Sequence, residues 1–159
     1  MAKTIEEINA EFKSYIAFVL KLDELSEEHW NSPIAEGKWT LKEVITHIML
    51  WDKYFYEEAI EKIKQNKPLT VKHLNFNEFN ANAIEYSKKH TKKSIVDQFV
   101  EYRMKITNDI SEMNEDECTR DFIDGDKKKF SVRKFLRGFI PHDKHHKKQI
   151  EKFLKSIEG

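Results

Sequence analysis

The sequence of 159 residues has few of the residues that cross-link or interrupt a chain. Its single cysteine, Cys118, excludes an internal disulfide, which is compatible with a reducing compartment. Only three prolines and four glycines occur, so long stretches can form uninterrupted helices. No apolar run approaches the roughly 20 residues that span a bilayer, and residues 1–4 lead into a predicted helix rather than an apolar signal core. We therefore expect one soluble, cytoplasmic domain over residues 1–159 without a membrane partner.

An excess of charge of one sign is also absent, because 28 basic residues balance 28 acidic residues. A dedicated nucleic-acid-binding protein usually has a basic excess or a basic stripe on one face. The short basic run at residues 127–129 is interpreted as solvated surface. We therefore expect no nucleic-acid partner.

Four amphipathic helices are predicted from apolar residues that recur at steps of three and four. The second helix has the clearest start, where Thr40 and Glu43 form a capping box. His90–Thr91 is the one point at which the third helix could break, and the polar run 114–130 is predicted to contain a turn but no strand pair. The predicted helices cover residues 4–25, 40–66, 77–113 and 131–157. Long helices with one apolar face each predict an all-α four-helix bundle.

Three histidines lie on helix stripes that would otherwise be apolar. His142 and His146 are four residues apart and project from one face of the last helix, while His47 lies on the second helix. Neutral imidazoles are good ligands for zinc and nickel, and three of them would leave coordination positions open. His145 is rotated by about 100° from His146 and is assigned to the rim or to solvent. For His47 alone, the alternative is a core histidine that is hydrogen-bonded to a neighbour.

Polar residues near these histidines are predicted to support the site. Gln149, one turn beyond His146, could hydrogen-bond a ligand or a residue that supports one, or could be an ordinary polar residue at the bundle edge. Asp52 and Asp143 could hydrogen-bond the metal ligands, with surface ion pairs as the alternative. The remaining histidines lie in connectors or near breaks and are expected to be solvated: His29, His73 and His90.

Several common catalytic motifs are missing. Zinc proteases carry a glutamate directly after the first histidine of their helical motif, whereas this chain has Asp143 there. The sequence also has no glycine-rich phosphate loop and no Gly-x-Ser-x-Gly nucleophile turn. The sequence therefore does not support a zinc protease of this type.

The two histidine segments resemble the signatures of the DinB/YfiT-like metalloprotein superfamily. Residues 39–48, WTLKEVITHI, resemble its second-helix signature. Residues 142–150, HDKHHKKQI, are similar to its last-helix pattern His-x-x-x-His-x-x-Gln. The likeness covers nearly the whole chain in helix order and spacing. It departs at Lys147–Lys148, where many relatives have Arg-Gly, without touching the three histidines.

This resemblance implies an up-down-down-up bundle, often a homodimer, with a divalent metal held by His47, His142 and His146. Members include metal-dependent hydrolases and bacterial thiol S-transferases. We therefore predict a metal-dependent enzyme for a small-molecule substrate, with a thiol cofactor in the transferase version. Zinc is the expected ion, with nickel or another transition metal as alternatives, and it would activate a bound water or thiol. The alternatives are a non-catalytic metal- or ligand-binding bundle, acting in stress response, and a dimeric scaffold.

Overall fold

A computed structural model describes residues 3–158 of the chain. The elements follow one another in this order: α1 (Ile5–Leu22), α2 (Glu27–Trp30), α3 (Leu41–Phe55), a π-helical turn (Tyr56–Ile60), α4 (Glu61–Lys64), α5 (Phe76–Lys88), α6 (Lys92–Ser111), α7 (Glu115–Thr119), β1 (Phe122–Ile123), β2 (Lys129–Phe130) and α8 (Val132–Glu158). No helix within residues 3–158 is long and apolar enough to cross a membrane.

The four long helical segments form the up-down-down-up bundle that the resemblance implies. Lys92, at the start of α6, donates to the carbonyl oxygen of Asp23, just past the end of α1, so α6 runs antiparallel to α1. Arg133, at the start of α8, donates to the carbonyl oxygen of Lys3, so α8 runs parallel to α1. The remaining long segment consists of α3, the π-helical turn and α4. It also runs antiparallel to α1, because Ile63 near its end packs in the same hydrophobic cluster as Ile5 and Ile8 at the start of α1. The prediction of an all-α bundle is confirmed.

The start of α3 is fixed by the capping box that the sequence predicts. The Thr40 hydroxyl oxygen accepts a hydrogen bond of 3.1 Å from the Glu43 amide, and the Glu43 carboxylate accepts one of 2.8 Å from the Thr40 amide. These bonds satisfy two amides that the helix itself leaves unpaired. They therefore set the register of the helix that carries His47 two turns later.

One prediction about local structure is wrong. The run 114–130 contains a short antiparallel pair, in which Phe122 faces Phe130. The Asp124 carboxylate accepts from the amides of Asp126 and Lys128 at 2.8 and 2.9 Å and closes this turn. Strands of two residues are too short to produce an alternating pattern, so the sequence gives no signal for them.

The third predicted helix is two helices. Its break coincides with the predicted point, because the Thr91 hydroxyl accepts from the Ser94 amide and caps the start of α6. The helix before the break, α5, packs against α3 and does not continue into α6 as one long helix of the bundle. This position brings α5 beside the histidine-bearing face of α3.

Candidate metal centre

Three imidazoles from two facing helices converge on one point. The Nε2 atom of His142 lies 3.2 Å from Nε2 of His47 and 3.3 Å from Nε2 of His146. One nitrogen of each ring lies within 4.8 Å of those of the other two, so a single metal ion could be held by all three residues. The structure thus brings together the three histidines that the sequence singled out.

The nitrogen separations fit a bound cation. In a tetrahedral zinc site with Zn–N distances of about 2.0–2.1 Å, neighbouring ligand nitrogens are about 3.3–3.4 Å apart. Hydrogen bonds alone cannot satisfy this group, because Nε2 of a neutral His142 has either one proton or one lone pair and can form a well-aligned hydrogen bond with only one of its two neighbours. In the described part of the chain, the Nδ1 atoms of His47 and His142 are buried and have no hydrogen-bond partner. A shared cation would satisfy all three Nε2 lone pairs at once.

Burial keeps the three imidazoles neutral. Desolvation, followed by the neighbouring His142, lowers the pKa of His47 to about 3. Desolvation also lowers the pKa of His146 to about 4, with His142 as the next cause, and it lowers the pKa of His142. A charged imidazolium has no lone pair to offer a metal. All three rings are therefore available as ligands at neutral pH without first losing a proton.

Neighbouring side chains hold the rings in place. Nδ1 of His146 lies 3.2 Å from Oε1 of Gln149. A proton on Nδ1 would donate to this oxygen and leave the Nε2 lone pair facing the other rings. The Trp39 ring packs edge-on against His47 at 5.1 Å between ring centroids. Gln149 therefore contacts one of the three rings directly, as a supporting role would require.

Asn80 on α5 is a further polar residue at the site. Its Oδ1 atom is buried and, within residues 3–158, has no hydrogen-bond partner. The Asn80 side chain is nevertheless close enough to His47 to raise the pKa of that ring slightly against the larger effect of burial. Asn80 could not be identified from the sequence, because its position at the site depends on how α5 packs on α3.

A pocket of about 430 Å³ opens on the histidines. All three rings line this pocket, so one side of the histidine cluster faces a space that can admit a small molecule. The pocket lies at the lower end of the range for small-molecule sites. Its other walls are formed mostly by aromatic side chains, namely Trp39, Trp51, Phe76 and Phe139.

Asp52 and Asp143 lie outside the histidine cluster. Both are buried, so the expectation of surface ion pairs is wrong for both. The buried guanidinium of Arg103 binds Asp52 through two hydrogen bonds, of 2.7 and 3.1 Å, and binds Asp143 through one of 2.8 Å. It also donates to the carbonyl oxygen of Phe12 at 2.9 Å. No hydrogen bond joins either carboxylate to a histidine of the cluster within the described residues. The Asp143 carboxylate instead faces Arg103 on α6.

Arg103 is the residue of this network that the sequence analysis missed. A signal was present, because Arg103 follows Phe99 by four residues and precedes Ile106 by three, on the apolar stripe of α6. A charged residue on such a stripe must be paired when it is buried. The two aspartates that pair with it are distant in sequence, so the pattern alone could not identify them.

The other histidines lie outside the cluster. His145 is exposed, as predicted from its rotation on α8. His73 is also exposed and pairs with Asp126 at 3.0 Å. The expectation of solvated surface fails in part for the other two, because His90 stacks on Tyr86 and His29 packs against Phe153.

Comparison with known proteins agrees with this architecture. A family model described as the DinB superfamily matches residues 17–150, and the chain belongs to this superfamily. The structure is also similar to that of YfiT from Bacillus subtilis, described as a probable metal-dependent hydrolase with an unusual four-helix bundle topology. The two have 15% sequence identity and a TM-score of 0.67 over 97% of this chain and 83% of that chain, which shows a shared fold. A comparison with curated proteins gave no match.

Proposed function

We propose that this chain is a divalent-metal-dependent hydrolase whose ion is held by His47, His142 and His146. The observation that carries this proposal is the convergence of the three Nε2 atoms beside an open pocket. A bound ion would act as a Lewis acid and lower the pKa of a water molecule or thiol. The description of the related Bacillus subtilis protein as a probable metal-dependent hydrolase supports hydrolysis as the reaction.

The donor set supports zinc first and nickel second. Imidazole suits zinc, copper, iron and nickel, whereas magnesium, calcium and manganese prefer oxygen ligands. Among the described residues that line the pocket, none is an aspartate or glutamate. The three neutral rings would leave the full charge of the ion available to polarise a substrate.

The protein's own residues prepare the site in three ways. Desolvation holds the rings neutral, so that ligand nitrogens are free without proton release. The hydrogen bond with Gln149 favours the tautomer of His146 that presents Nε2 to the cluster. The contact of Trp39 with His47 limits rotation of that ring and excludes water from one side. These features reduce the reorganisation needed when an ion and a substrate bind.

The test is turnover by protein reconstituted with zinc or nickel after chelation, on a panel of esters and amides. We expect hydrolysis that requires the ion and falls at least a hundredfold in His142→Ala. The matched control is His145→Ala, which removes an exposed imidazole three residues away and should retain turnover. Equal turnover by wild type and His142→Ala would contradict the proposal.

Two other outcomes identify the alternative functions. A metal-loaded protein that leaves esters and amides intact, but joins a small thiol to an electrophile, would be a thiol S-transferase that uses the same centre. A metal-loaded protein that is inert in both assays would support a non-catalytic binding function.

A further inference from the structure

The walls of the pocket beside the histidines are aromatic and uncharged. Trp51 and Phe139 form its inner side, and their ring centroids are 6.1 Å apart. Phe79 stacks on Trp51 at 3.8 Å, with an angle of 18° between the rings, and fixes the orientation of the indole. Apart from the histidines, the polar groups among the described lining residues are the Asn80 amide and the indole N–H groups of Trp39 and Trp51. No described lining residue carries a formal charge at neutral pH.

Phe76 lies at the mouth of this pocket and is unusually exposed for a phenylalanine. Its side chain is 69% exposed, although its ring lies 5.8 Å from that of Trp51. Phe76 precedes Asn80 by one turn of α5, so both project from the same face of that helix. A molecule in the pocket would therefore cover Phe76 and remove its apolar surface from water.

The charge and shape of the pocket restrict what can occupy it. A charged group away from the histidines would lose its hydration without gaining a counter-charge, which is unfavourable. A flat apolar group would gain contacts with several aromatic faces and edges.

From these features we propose that the substrate carries an uncharged, flat apolar group that lies against Trp51, Phe76 and Phe139, with its reacting group at the histidines. The inference rests on the proposed function, because it assigns the occupant of the pocket that serves the metal centre. It selects substrates with an aromatic body over small, hydrophilic or charged ones.

Gly138 provides a way to close the pocket without changing a histidine. It lines the pocket one turn before His142, and a Cβ atom added to it would meet no atom within 4 Å. A leucine at this position has room to extend toward the pocket, whereas an alanine adds only one methyl group. Both changes favour the helix relative to glycine. Gly138→Leu therefore tests occupancy of the pocket, and Gly138→Ala is the matched control.

The experiment measures binding of 2-naphthol and of its anionic counterpart 2-naphthoate to the metal-free, full-length protein by titration calorimetry. Chelation removes any ion that could bind the carboxylate directly. We expect 2-naphthol to bind at least tenfold more tightly than 2-naphthoate. Gly138→Leu should weaken binding of 2-naphthol at least tenfold, while Gly138→Ala changes it less than twofold.

Equal binding of the two compounds, no binding of either, or unchanged binding in Gly138→Leu would overturn the inference. The same variants are then titrated with zinc. A wild-type protein that binds 2-naphthol as expected but fails to bind zinc would disprove the proposed metal centre and leave the apolar pocket standing. Normal zinc binding together with failure of the naphthol experiment would disprove the substrate class alone.

Discussion

At the scale of single residues, the site depends on three histidines whose protonation is controlled by burial. An exposed histidine has a pKa near 6.5 and would compete with a metal for protons under mildly acidic conditions. Here desolvation lowers the pKa values of His47 and His146 to about 3 and about 4. The protein therefore keeps its ligand nitrogens free well below neutral pH.

This lowering predicts an unusual pH dependence of zinc affinity. Three ordinary imidazoles would lose about a thousandfold in affinity between pH 7.5 and pH 5.5, since each would become about 90% protonated. We expect the affinity of this protein to fall less than about tenfold over the same range, because its ligands remain neutral. Competition titration with a chelating dye at each pH measures the effect. A thousandfold fall would show that the rings titrate as exposed histidines do.

Gln149 gives a second prediction at this scale. Replacement by leucine, Gln149→Leu, removes the acceptor of Nδ1 of His146 and should weaken zinc binding by about 10- to 100-fold, since such supporting contacts orient the ligand ring. Lys148→Leu changes the exposed neighbouring residue and serves as the control, which should bind zinc like wild type. If both variants keep the wild-type affinity, Gln149 is an ordinary polar residue at the bundle edge.

At the scale of helices and turns, the start signals were predictable because they are local. The capping box of Thr40 and Glu43 involves residues three apart and forms as the sequence indicates. The pair His142 and His146 is equally local, since helical periodicity alone places both rings on one face. What could not be predicted is the packing of α5 on α3, which brings Phe76 and Asn80 to the pocket across a loop.

Replacement by alanine should change the stability of the protein in opposite directions at Gly138, in α8, and at Gly125, in the turn between β1 and β2. Gly138→Ala should raise the free energy of unfolding by up to about 1 kcal/mol, since alanine favours a helix and the added methyl meets no atom within 4 Å. Gly125→Ala should lower it by about 1–3 kcal/mol, because the methyl would lie 2.9 Å from the Thr70 carbonyl oxygen. Urea denaturation measures both. Equal shifts in the two variants would contradict this account of the turn.

At the scale of the whole molecule, one buried guanidinium connects the helices of the bundle. Arg103 on α6 binds Asp52 on α3, Asp143 on α8 and the Phe12 carbonyl of α1. Its side chain is fully buried, and desolvation raises the pKa values of both aspartates, that of Asp52 to about 6. Because α3 and α8 also carry the histidines, this network holds together the two helices that carry the proposed metal centre.

Removal of this guanidinium should destabilise the fold in a pH-dependent way. Arg103→Met should lower the free energy of unfolding at pH 8 by about 3–5 kcal/mol, because it leaves Asp52 and Asp143 buried without a counter-charge. The loss should be smaller at pH 5. Arg103 lowers the pKa of both carboxyl groups, so its removal raises these pKa values further in the folded variant. The folded variant therefore takes up more protons than the folded wild type as the pH falls, which favours its folded state.

Chemical denaturation at both pH values measures this effect. Arg120→Met, which breaks an exposed ion pair with Asp116, is the control and should leave stability almost unchanged. The same destabilisation in both variants, or a larger loss at pH 5 than at pH 8, would contradict the role given to Arg103.

The bundle and its three histidines could be anticipated from the sequence because helix periodicity and a family resemblance both point to them. The Arg103 network could not, since ion pairing between α3, α6 and α8 depends on contacts between residues 40 and 51 positions apart. The expected homodimer stays a prediction, which light scattering of the purified protein can test.

The most direct test of the account is the metal content of protein purified without a histidine tag. We predict one divalent ion per chain in wild type and in His145→Ala, and almost none in the double variant His47→Ala/His146→Ala, with all three proteins folded by circular dichroism. Substoichiometric metal in wild type that the double variant leaves unchanged would contradict the central claim that these rings share one cation.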